Sequence, residues 1–74
     1  MENKFYEILE NILEVKVDET SNLSMNNCSN WTSLAHIDII MSLEEEFEIK
    51  FNKEELTNLK SQNDLLKSIK EKLC

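Results

Sequence analysis

Seventy-four residues carry fifteen acids against eight lysines, with no arginine, glycine or proline, for a formal charge of −7. So short a chain has room for one domain, residues 1–74, and none for a deep enclosed active site. The charge also excludes nucleic acid, whose phosphates it would repel. With 41% apolar residues it can bury a core, so global disorder is excluded as well.

The elements follow in chain order. Met1-Glu2-Asn3-Lys4 leads straight into an amphipathic pattern, unlike the apolar segment of a signal peptide. No apolar run approaches membrane-spanning length, so no membrane association is expected. Phe5, Ile8, Leu9, Ile12 and Leu13 recur at helical spacing and predict a first helix from about Glu2 to Glu14. Val15 and Val17 then alternate with Lys16 and Asp18, and the helical period is lost. Asp18 to Asn30 is a polar segment longer than a usual helix–helix connection, and segments of that kind are functional or partly disordered. Val15, Val17, Leu23 and Met25 are expected to pin it to the helices, with room for a short helical turn.

The central helix is predicted from Ser33, with Thr32 or Ser33 as N-cap, to Phe47 or Glu48. Ile49-Lys50-Phe51 breaks its period. Asn52-Lys53-Glu54-Glu55 reads as a capping-box start, opening a short third helix from Lys53 to Leu59 that offers Leu56 and Leu59 to the core. Ser61-Gln62-Asn63-Asp64 is a second cap signal, and a last helix from Gln62 to Leu73 follows with Leu65, Leu66, Ile69 and Leu73 in register. The expected fold is all-α, a small four-helix bundle of three longer helices and one short one.

The central helix carries more apolar positions than a bundle of this size needs. His36, Ile39, Ile40, Leu43 and Phe47 form one stripe, assigned to the core. Leu34, Ile37 and Met41 form a second, displaced around the axis. Either the polar segment folds over this second stripe, or the stripe is an interaction surface edged by Asp38, Glu44, Glu45, Glu46 and Glu48.

Ser33-Leu34, followed by a helix ending Leu43-Glu44-Glu45-Glu46-Phe47-Glu48-Ile49, resembles the acyl carrier proteins. The likeness extends over nearly the whole chain in helix order, length and acidity. In that family an Asp-Ser-Leu motif opens the second helix of a four-helix bundle, and its serine carries 4′-phosphopantetheine, whose thiol holds acyl groups as thioesters. The resemblance implies that Ser33 is the attachment point and that the protein shuttles acyl or aminoacyl intermediates without catalysing a reaction itself. It implies two classes of partner with basic surfaces: a phosphopantetheinyl transferase and the enzymes that load and unload the arm. Leu34, Ile37, Asp38, Met41, Glu44 and Glu45 would form the docking surface. Thr32 and Asn30 stand where the family keeps aspartate and often glycine, so a carboxylate beside the attachment point is lost. The Trp31-Thr32-Ser33-Leu34-Ala35-His36 form looks more like stand-alone carriers of specialised pathways, such as surface-polysaccharide or secondary-metabolite assembly, than the housekeeping fatty-acid carrier.

A second reading keeps the same acidic helix without the arm: a small helical adaptor for a basic partner. Of the remaining residues, His36 invites a nucleophile–base reading with Ser33, but a hydrolase would also need an orienting acid, an oxyanion hole and a pocket. His36 is better placed as a partly buried spacer, and Trp31 as a cover for the end of the core. One histidine and two distant cysteines, Cys28 and Cys74, lack metal-ligand spacing. Free thiols fit a reducing cytoplasm, with Cys74 as a mobile terminal residue. A monomer is expected.

Overall fold

The computed structural model describes residues 2–73, and its regular structure consists of four α-helices. α1 spans Glu2–Leu13, α2 Ser33–Phe47, α3 Lys53–Asn58 and α4 Gln62–Leu73. Among the described residues the fold is all-α, with one isolated antiparallel bridge between Ser24 and Ser61. Cys74, expected to be a mobile thiol, lies outside the described residues.

The core follows from the spacing of apolar side chains. Phe5, Leu9 and Leu13 recur every four residues along α1 and are all fully buried, because that interval returns them to one face. α1 packs on α2, which contributes Ile39, Ile40 and Leu43, and α4 adds Leu65 and Ile69 to the same cluster. Each such side chain contributes about 1.5–3 kcal/mol when taken out of water. The buried residues of α2 are confined to its middle turns. His36 and Phe47, expected in that stripe, lie in the first and last turns and are only half-buried.

Without glycine, the helix ends use other residues in left-handed backbone. α1 stops one residue short of the expected Glu14, which takes φ 57° while its N–H donates to the Glu10 carbonyl at 2.8 Å. α2 ends the same way, with Glu48 at φ 54° and the Ile49 N–H donating to the Glu44 carbonyl at 3.2 Å. A non-glycine residue there costs on the order of 1 kcal/mol. The Glu44 side chain completes this turn: its Oε2 accepts the Phe51 N–H at 2.9 Å and aims Ile49 and Phe51 into the core.

α3 differs from expectation. It ends at Asn58, with Leu59 as its C-cap, and buries no residue at all. Leu56 remains 39% exposed and Leu59 is half-buried, because a helix of six residues cannot present a full apolar stripe. Polar bonds hold it instead. The Asn52 side chain accepts the Glu55 N–H at 2.8 Å and the Glu55 side chain accepts the Asn52 N–H at 2.9 Å, forming the anticipated capping box. The same Glu55 carboxylate accepts the Ser68 hydroxyl at 3.0 Å and the Lys72 ammonium at 2.8 Å, tying α3 to α4.

The long polar segment is pinned as expected by Val17, which is buried, and by Val15, Leu23 and Met25 packed against the core. It contains one helical turn, in which the Ser24 carbonyl accepts the N–H groups of Asn27 and Cys28 at 3.2 and 3.0 Å. Its main anchor is Gln62, the second residue of the cap signal at the start of α4. That side chain is only 1% exposed. It donates to the Asp18 carbonyl at 2.6 Å and accepts the Leu23 N–H at 3.1 Å and the Ser21 hydroxyl. A buried amide needs such partners, since each one left unmade would cost about 1–3 kcal/mol.

Candidate functional site

Ser33 is the first residue of α2, and its side chain is exposed. Thr32 is the N-cap. In extended backbone, with φ −82° and ψ 176°, its hydroxyl oxygen accepts the Ala35 N–H at 3.2 Å and its carbonyl accepts the His36 N–H at 2.9 Å. Thr32 therefore satisfies the helix start that an aspartate would also cap. Ser33 is left as a hydroxyl on a rigid element, beside first-turn N–H groups that have no intrahelical partner.

The second apolar stripe of α2 faces outward. Leu34 is 80% exposed, Ile37 55% and Met41 62%, and Leu56 of α3 lies beside them in the adjoining clefts. The polar segment does not fold over them. It turns instead toward the α3–α4 junction, where the Met25 N–H donates to the Lys60 carbonyl and the Gln62 N–H to the Leu23 carbonyl, at 3.0 and 2.8 Å. Asp38 and Glu45 are exposed near the stripe. Glu44 is half-buried and committed to the Phe51 N–H, a structural task that sequence reasoning missed. The signal was the single N–H acceptor needed by the irregular Ile49-Lys50-Phe51 stretch.

Two adjoining clefts run between α2 and α3. One, of about 400 Å3, is lined by Ser33, His36, Ile37, Leu56, Thr57, Lys60 and Met25. The next, of about 340 Å3, is lined by His36, Ile37, Ile40, Met41, Glu44 and Leu56. They share His36, Ile37 and Leu56, so they form one groove leading from the serine along α2. A larger open groove of about 580 Å3 lies on α4 beside Leu66, Lys67 and Lys70, away from Ser33.

No protein-family model matches the chain, and a search of curated proteins finds no significant match to it.

His36 forms the floor of the groove. Its Nδ1 accepts the indole N–H of Trp31 at 3.1 Å, and the two rings stack with centroids 6.1 Å apart. Trp31 is itself buried in the core. Nδ1 is thus an acceptor, and the proton of the neutral ring belongs on Nε2, which is buried without a hydrogen-bond partner. Burial pushes the pKa of His36 below its ordinary value. The nearby Leu56 carbonyl, outside hydrogen-bond geometry, pulls the other way, and the charge of Lys60 adds a smaller downward push. With Nδ1 committed to Trp31 and Nε2 closed off, neither nitrogen is placed to take a proton from Ser33. Among the described residues no group of three or more His, Cys, Asp or Glu side chains could hold a metal ion. No described helix is long and apolar enough to cross a membrane.

Proposed function

We propose that the protein is a carrier of the acyl-carrier type, with Ser33 holding 4′-phosphopantetheine and passing thioester-linked acyl or aminoacyl groups between enzymes. The observation that carries this reading is an exposed serine opening α2, next to an exposed apolar stripe edged by acids. An arm on this hydroxyl places its phosphodiester at the positive end of the helix, which favours an anion. The protein's own task is then presentation. The arm converts a meeting of free substrate and enzyme into delivery at high effective concentration. Leu34, Ile37, Met41, Asp38 and Glu45 form a surface small enough for partners to bind and leave repeatedly. Those partners are the transferase that installs the arm and the enzymes that charge and discharge it, each presenting a basic face. Glu44 adds charge to this surface while its carboxylate holds the α2–α3 turn.

The same stripe would also serve an adaptor without an arm, and only the carrier requires Ser33. Co-expression with a phosphopantetheinyl transferase of broad specificity, followed by intact mass, separates the two. The carrier gains the mass of one phosphopantetheine, and Ser33→Ala does not. An unmodified chain, or equal modification of the alanine variant, rejects the carrier.

A further inference from the structure

Lys60 stands at the junction of α3 and α4, where its carbonyl is fixed by the Met25 N–H. Lys60 lines the same cleft as Ser33 and is the one cationic residue among those that form it. Lys60, like Lys16, Lys50, Lys53 and Lys67, forms no ion pair among the described residues. No carboxylate lines this part of the groove. An acidic protein thus places an exposed lysine in the same cleft as the hydroxyl on which an anion would be built.

We propose that Lys60 is the counter-cation of the phosphodiester at Ser33 and seats the arm in the cleft between α2 and α3, an inference that rests on the carrier reading above. Attachment replaces the hydroxyl hydrogen of Ser33 with a group of one negative charge. That charge is favoured from one side by the helix start and from the other by Lys60. The arm leaving it is drawn across Ile37 and Leu56, so Lys60 acts as a positioning residue for the prosthetic group. In the unmodified protein the same ammonium disfavours charge on His36.

The test uses the full chain and its Lys60→Gln variant, each driven to complete modification and checked by intact mass. Nuclear Overhauser cross-peaks between the pantetheine protons and Leu56 and Thr57 report the seated arm. They are expected in the wild type and should weaken about two- to fivefold in the variant, the range set by an exposed ion pair. Lys60→Arg should restore them. Added salt should weaken them in the wild type and leave the glutamine variant unchanged. A modified wild type with no cross-peaks to Leu56 or Thr57, or with cross-peaks equal to those of Lys60→Gln, overturns this inference and leaves the carrier standing. A wild type that gains no mass overturns both.

Discussion

With Trp31 donating to its Nδ1, His36 can take up a proton only by giving up that bond and carrying charge on a partly buried ring. Its pKa is therefore lowered in the folded protein, chiefly by burial, which outweighs the opposing pull of the Leu56 backbone and is aided by the charge of Lys60. In the unfolded chain it titrates near its ordinary value of about 6.5. The sign follows. Above that value both states are neutral and His36 is silent. As pH falls below it, the unfolded state binds the proton first and gains stability relative to the folded one. His36 thus destabilises the fold progressively on acidification, until the folded pKa is reached. One proton limits the slope to about 1.4 kcal/mol per pH unit. Urea unfolding at pH 7.5 and 5.5 checks this, with His36→Gln as the reference that removes the titration. The wild type should lose stability relative to the variant at the lower pH. An equal or opposite change would mean that the Trp31–His36 bond does not hold the ring neutral.

At the scale of elements, α3 is the weakly held part of the bundle. α1, α2 and α4 each bury at least three side chains, whereas α3 buries none and depends on one carboxylate. Glu55 closes the capping box and bridges to Ser68 and Lys72, and these partners, led by Lys72, hold its pKa below the ordinary range. Lys72 also lies over the Phe51 ring at 5.4 Å, so the link continues into the core. Glu55→Ala should lower stability by about 1–2 kcal/mol, the sum of a lost cap contact and a part-buried ion pair. The urea midpoint should fall with little change in its slope. Hydrogen exchange should accelerate first at the α3 amides, which open locally before the rest of the fold. Unchanged exchange in α3 would show that Leu56 and Leu59 hold the helix without Glu55.

The same contrast explains what was legible in the sequence. Phe5, Leu9 and Leu13, or Leu65 and Ile69, announce a helix and its buried face because periodicity encodes both. The surplus stripe Leu34, Ile37 and Met41 was legible as a departure from that economy, and its exposure answers whether the polar segment covers it. Polar tertiary partners leave no periodic trace. Nothing local shows that Gln62 would be buried to anchor residues more than forty positions upstream, or that Glu44 would be half-consumed by the Phe51 N–H. The task of Glu55 in joining α3 to α4 is equally invisible, although its cap motif is plain.

Over the whole molecule, charge is divided along the chain. The first 48 residues hold eleven acids and two lysines, and the remainder hold four acids and six lysines. Some of this imbalance is used for cohesion, as in the exposed pairs Lys70 with Glu2 at 2.8 Å and Lys4 with Glu46 at 3.8 Å. Exposed pairs of this kind are weak, and they weaken further with salt. Against them stands the self-repulsion of a net −7 confined within a radius of gyration of 11.0 Å. Folding concentrates that charge, and mobile ions relieve the compact state more than the expanded one. Raising ionic strength from about 10 mM to about 150 mM shortens the screening length from about 30 to about 8 Å, which is shorter than the molecule is wide. Treated as a charged sphere in water, the folded state gains about 1 kcal/mol over the unfolded chain. For a domain of this size that is an increase in Tm of about 4–8 °C. The increase should level off once the screening length falls below the spacing of neighbouring acids in Glu44-Glu45-Glu46. A Tm that falls with salt over this range would show that the ion pairs outweigh the repulsion.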